Sequence, residues 1–165
     1  MTQDQLNRFY KFAVDRHDIY CNQKYDKKLP YSFHLEMVAK QASLFASKVI
    51  RDEDIYLVLS GCYGHDLIED ARLTYNDILN VWGYELAEII YLCTHSKQYY
   101  EELATNELAV FVKLCDIIAN VKYSLLTNST MLDKYRTEYS KVTDYLYLEK
   151  YDEMFKYLDK LFAVK

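Results

Sequence analysis

The 165 residues suffice for one domain that buries about two-thirds of the surface its unfolded chain exposes. Three glycines and one proline leave few places for tight turns, which argues against an all-β architecture and predicts helices joined by short loops. The net charge of −5 is spread without a basic stripe, so nothing invites nucleic acid, and no apolar run reaches the roughly 18 residues that a membrane span needs.

A first amphipathic helix is predicted over residues 5–17, where Leu6, Phe9, Phe12 and Ala13 form one apolar stripe. Residues 20–30 break that pattern and read as a loop. Lys24, Lys27 and Lys28 give this loop the chain's one concentration of positive charge, able to meet phosphate oxygens or simply to be solvated. Ser32 is suited to cap a second helix reaching residue 48, with Leu35, Val38, Ala39, Ala42 and Phe45 inward and Lys40, Ser43 and Ser47 outward. His34 falls in its first turn.

A third helix is predicted over residues 53–71. It opens on the apolar run Ile55 to Leu59 and closes on His65-Asp66-Leu67-Ile68-Glu69-Asp70, one histidine and three carboxylates in six positions. At about 100° per residue the four polar groups share one face of about 140°, while Leu67 and Ile68 point away. Carboxylates that close are stable in an interior only beside a neutralising cation; the plain alternative is a solvated face. Gly61 and Gly64 each cost a helix interior about 1 kcal/mol relative to alanine, which implies close backbone packing or room for a ligand.

Thr74-Tyr75-Asn76-Asp77 has the form of a capping box opening a short helix that ends before Gly83, and residues 84–94 follow as another. Residues 106–126 form a strong helix with Leu108, Val112, Cys115 and Ala119 among its apolar positions. Asp116 interrupts that pattern, and Asn120 stands one turn on, on the same face. An unpaired buried aspartate costs several kcal/mol, so Asp116 needs a cation or several donors; Lys113 is one candidate partner. Residues 131–162 give two more helices rich in tyrosine. The eighteen tyrosines largely stand in for other large apolar residues at helical spacing, which reads as composition rather than function. Cys21, Cys62, Cys93 and Cys115 form no CxxC pair and suit reduced thiols in a cytoplasmic protein.

His34, then His65 with Asp66, then Asp116 offer two imidazoles and two carboxylates, a set suited to a divalent ion such as Mn²⁺ with positions left for water and substrate. This order resembles that of the HD phosphohydrolase superfamily. His65-Asp66-Leu67-Ile68-Glu69-Asp70 is similar to the HDxxED signature of Rel/SpoT-type hydrolases and their small stand-alone relatives, and Pro30-Tyr31-Ser32-Phe33-His34 to their PYxxH. The path from Leu73-Thr74 through Gly83 to Cys93-Thr94, and the stretch Val112-Lys113-Leu114-Cys115-Asp116-Ile117-Ile118-Ala119-Asn120, are similar to two further motifs. Together they cover residues 23–122.

The resemblance implies an all-α, single-domain HD-type bundle of about seven to ten helices over residues 1–165. It implies one Mn²⁺ held by His34, His65, Asp66 and Asp116, with Fe²⁺, Co²⁺ or Zn²⁺ also acceptable to these ligands. Glu69 and Asp70 would orient and deprotonate the attacking water and handle the leaving group, and Asn120 would line the nucleotide pocket. Lys24, Tyr25, Lys27, Lys28, Lys134, Tyr135 and Tyr139 are the further candidate substrate contacts. The implied activity is removal of the 3′-diphosphate from (p)ppGpp-like alarmones by a stand-alone hydrolase of the stringent-response type, with a small nucleotide as partner. Tyr25 and Asp26 stand where relatives commonly place basic residues after the glutamine corresponding to Gln23, and Ile117 where arginine is frequent. Those departures keep open a phosphatase for another nucleotide, such as the 2′-phosphate of NADPH. A non-catalytic nucleotide-binding module is the reading from a different class.

Overall fold

The computed structural model describes residues 1–164. Among these, helices α1 (Gln3–Val14), α2 (Ser32–Val49), α3 (Ile55–Gly64), α4 (Leu67–Asp70), α5 (Tyr75–Trp82), α6 (Tyr84–Cys93), α7 (Tyr99–Leu103), α8 (Glu107–Thr127), α9 (Met131–Leu146) and α10 (Asp152–Phe162) account for most of the chain. A two-stranded antiparallel hairpin, β1 (Lys24–Tyr25) and β2 (Leu29–Pro30), is the sole sheet among the described residues. None of these helices is long and apolar enough to cross a membrane.

Helix α8 is the axis of the bundle. It buries residues on every side, from Ala109 and Val110 to Val121 and Ser124, and a helix apolar all round is stable only when other helices surround it. Helices α2, α3 and α6 pack directly on it, and α1 closes over α3. The two glycines of α3 let these neighbours approach closely. A β-carbon on Gly61 would stand 2.9 Å from side-chain carbons of Ile89 and Val112, and one on Gly64 would stand 2.7 Å from Ile90 and Phe9. Their role is packing.

Several expected elements appear with altered ends. The capping box at Thr74 and Asp77 opens α5, and Gly83, at φ 91°, ends it. Helix α1 stops at Val14, and a π-helical turn, Asp15–Tyr20, carries the chain past the predicted end. Within the predicted loop the β1/β2 hairpin forms, its reversal made by Asp26 and Lys27 at positive φ. Ser32 opens α2 without a side-chain capping bond; its own N–H is taken by Asp18 Oδ1 of the π-helical turn at 3.1 Å.

The third predicted helix is broken. Helix α3 ends at Gly64, and α4 begins only at Leu67. The cause is local: His65 Nδ1 bonds the carbonyl of Cys62 at 2.9 Å, the acceptor that an unbroken helix offers to the N–H of residue 66. Asp66 takes φ −103° and ψ 6°, and Leu67 is driven into the core. The single acidic face expected on one continuous helix becomes a buried His65 beside a half-buried Asp66, followed by an exposed pair, Glu69 and Asp70.

Gly64 precedes this break, so a Gly64→Ala variant tests how tightly packing sets it. Overpacking against the buried Phe9 ring is expected to cost about 1–3 kcal/mol, read as a lower urea midpoint with an unchanged slope.

Candidate metal centre

His34, in the first turn of α2, and His65, at the end of α3, are each 2% exposed. Their Nε2 atoms face one another at 3.3 Å. Asp116, midway along α8, places Oδ1 3.2 Å from His34 Nε2 and 3.6 Å from His65 Nε2. Asp66 Oδ2 lies 2.9 Å from His65 Nε2 and 3.9 Å from His34 Nε2. One atom each from His34, His65 and Asp116 lies within 4.8 Å of the others. Ligands at right angles around a cation about 2.1 Å away stand about 3 Å apart, which is this spacing.

The tautomers agree with a cation site. His65 Nδ1–H donates to the Cys62 carbonyl, so its neutral imidazole presents a bare Nε2 to His34 and Asp66. Two imidazole nitrogens and two carboxylates can share so small a space only with a proton or a cation among them. Without a cation, burial works against charge on His65, and the Asp66 carboxylate outweighs it, holding the imidazolium up to about 9. Burial likewise opposes the Asp66 charge, and His65 beside it pulls that carboxyl below its usual range.

The second layer is built from groups that the sequence motifs contain. Tyr31 OH donates to Asp66 Oδ2 in a short hydrogen bond. Lys113 Nζ meets Asp116 Oδ2 at 2.7 Å, and Asn120 Nδ2 donates to Asp116 Oδ1 at 2.5 Å. The candidate pair of Lys113 with Asp116 therefore forms alongside the histidine contacts. Burial works against the Lys113 charge, yet the Asp116 carboxylate outweighs it and holds the ammonium well above its ordinary range. Asn120 also accepts from Tyr25 OH at 2.8 Å, and the Tyr25 ring lies flat on His34, centroids 4.8 Å apart at 9°.

A cavity of about 260 Å³ opens beside these residues. Tyr25, Tyr31, Tyr99, Tyr100, Tyr135 and Tyr139 line it together with Glu69, Asp70, His95, Lys134 and Asn120. Six of the eighteen tyrosines thus gather around one cavity. Lys134, Tyr135 and Tyr139 reach the cavity from α9. Lys24, Lys27 and Lys28 do not line it: strand alternation turns Tyr25 inward and Lys24 outward, while the turn exposes Lys27 and Lys28.

Glu69 is held by His95, which no sequence motif singled out, and Asp70 by Gln23. Glu69 faces His95 across 2.8 Å. Asp70 Oδ2 accepts from Gln23 Nε2 at 2.7 Å, and Gln23 Oε1 in turn meets His17 Nδ1 at 2.6 Å. His17 is fully buried in the π-helical turn and stacks on Tyr31, centroids 4.6 Å apart at 23°. Partial burial, and then the Asp66 charge, push the Asp70 carboxyl above its ordinary value. All four histidines of the chain thus gather around one site, and the scarcity of the residue was the one signal available for His17 and His95.

No protein-family model matches the sequence, and no curated protein matches it. Among solved structures, the fold is that of "A metazoan ortholog of SpoT hydrolyzes ppGpp and plays a role in starvation responses": TM-score 0.71, over 96% of this chain and 97% of that one, at 23% identity. The likeness at this identity is one of fold, an all-α bundle.

Three outcomes are expected of the centre. A histidine whose folded pKa is raised stabilises below its ordinary value of 6.5 and loses that contribution as pH climbs through about 9, so the urea midpoint of chelator-treated protein should fall over that interval. Mn²⁺ binding should expel the His65 proton, seen calorimetrically at pH 7 as an enthalpy that varies with the buffer's ionisation enthalpy. Tyr31→Phe, which removes the donor to Asp66, should weaken Mn²⁺ affinity about 10- to 100-fold in the same titration.

Proposed function

We propose that this protein is a Mn²⁺-dependent pyrophosphohydrolase that removes the 3′-diphosphate of (p)ppGpp-like alarmones. The observation that carries the reading is the convergence of His34, His65, Asp66 and Asp116 from three stretches of chain, at ligand spacing, on a tyrosine-lined cavity that also holds a carboxylate of raised pKa. The shared fold with a metazoan SpoT orthologue that hydrolyses ppGpp supports it.

When bound, a divalent cation polarises a phosphoryl oxygen and acidifies water. The chain's own groups do the rest. Asp70, raised by burial and by Asp66, is suited to accept the proton of the attacking water, and Gln23 fixes its orientation from the far side. The tyrosine faces supply stacking surface for a base, and Asn120, already bonded to Tyr25 and Asp116, stands where a sugar hydroxyl can be met. Lys134 offers a cation on the cavity wall.

A second reading has an observation of its own. Tyr25, stacked on His34 and tied to Asn120, occupies a place where a basic residue is common in the proteins this sequence resembles, and the three lysines of its hairpin lie outside the cavity. The cavity is therefore sparing in cations, which favours a phosphatase acting on a less highly charged nucleotide, such as the 2′-phosphate of NADPH. A non-catalytic module fits less well, because it leaves unexplained why so many costly polar groups are held together.

Turnover of ppGpp, pppGpp, NADPH and ordinary nucleotides with Mn²⁺, resolved by anion exchange, decides between them. The expected result is loss of ppGpp with GDP and pyrophosphate appearing, abolished in His65→Ala. Orthophosphate released from another nucleotide selects the second reading, and no turnover with metal bound overturns both.

A further inference from the structure

The site has an evident base in Asp70 and no evident acid. The oxygen that leaves when a ribose phosphate ester is cleaved is strongly basic, so its departure needs a proton. Most donors around the cavity are already spent: Lys113 on Asp116, Tyr31 on Asp66 and Tyr25 on Asn120. Glu69 is also committed. Its Oε2 and Oε1 lie 2.8 and 3.2 Å from His95 Nδ1, and Oε2 accepts the His95 backbone N–H at 3.3 Å.

His95 follows α6 directly and is held by two contacts at once. Besides the bond to Glu69, its ring is stacked on Tyr99, centroids 4.3 Å apart at 20°. Tyr99 is itself anchored, with its hydroxyl on the Cys93 carbonyl at 3.2 Å and the Lys113 ammonium 5.7 Å from its ring centre. A carboxylate on Nδ1 and a stacked partner set both tautomer and ring plane, an arrangement by which carboxylates orient proton-transferring histidines. Nε2 is left unpaired on a side chain that lines the same cavity as Asp66, Asp70 and Asp116.

We propose that His95, oriented by Glu69, is the general acid that protonates the leaving oxygen, and that Glu69 is a positioning residue acting through it. The assignment rests on the hydrolase reading above. As the water oxygen bonds to phosphorus, its proton passes to Asp70. The bond from phosphorus to the ribose oxygen breaks, its electron pair stays on that oxygen, and the Nε2 proton of the His95 imidazolium is delivered there. Asp70 ends protonated and His95 neutral. Return of one proton through solvent restores both, and one water is consumed.

The test compares two leaving groups. In His95→Ala, kcat on the nucleotide substrate should fall about 10²- to 10³-fold with KM changed less than about threefold. On bis(p-nitrophenyl) phosphate, whose leaving oxygen is far less basic, the loss should be about tenfold or less. Added imidazole should restore turnover to His95→Ala and not to Asp70→Ala. Glu69→Gln should lose nucleotide turnover alone but little more once His95 is already gone. Equal losses on both esters, or no rescue, overturn the proposal. A readout free of activity is ¹⁵N NMR of the histidines: neutral His95 should be the Nδ1–H tautomer, and Glu69→Gln should release that preference. The opposite tautomer overturns the dyad even if no substrate is turned over, whereas wild-type silence across the panel with the tautomer intact faults the hydrolase reading alone.

Discussion

The carboxylate of Asp116, set in the middle of a helix apolar on every side, is the group around which the rest of the site is arranged. A charge in that position carries an effective penalty of several kcal/mol, repaid only by close partners that satisfy its oxygens. It has three: Lys113 and Asn120 from its own helix and His34 from α2. Each partner is tied to something further. Asn120 holds Tyr25, Tyr25 covers His34, and Lys113 lies beside Tyr99, on which His95 is stacked. One buried charge therefore reaches the candidate metal ligands, the hairpin and the cavity rim.

The backbone around this charge departs from regular helix at two places, and each departure delivers a side chain. At His65 the imidazole takes the carbonyl that would have continued α3, and the resulting break swings Asp66 toward both histidines while Leu67 fills the core. At Asp15–Tyr20 the π-helical turn buries His17 against Tyr31 and sends Gln23 to Asp70. Irregular turns of this kind are costly in isolation and recur where a site needs a particular placement. Here the glycines of α3, with neighbours less than 3 Å from a would-be β-carbon, hold the first of them in place by contact on both sides.

The cavity is largely a tyrosine surface with few free cations. Six rings from the hairpin and from helices α7, α8's neighbour α9 and the start of α2 supply apolar faces, while the hydroxyls of Tyr25, Tyr31, Tyr99 and Tyr139 are committed to Asn120, Asp66, the Cys93 carbonyl and Asp159. On the proposed reading, binding energy would come from stacking and from the metal more than from paired phosphate charges, which makes the identity of the base and the number of phosphates separable questions.

The sequence alone determined the helical class, the capping box at Thr74, the burial pattern of α8 and the set His34, His65, Asp66 and Asp116, because hydrophobic period and costly polar residues at apolar positions are written locally. It placed Lys113 as a partner for Asp116 for the same reason, since both lie on one helix within one turn. Only the tertiary structure decided the break at His65, which depends on a side chain outbidding a backbone donor, and the exclusion of Lys24, Lys27 and Lys28, which depends on the hairpin's register. It alone brought His17 and His95 to the acidic pair. His95 lies 26 residues from Glu69 and His17 is 53 from Asp70, and a periodic pattern carries no information about contacts across such separations.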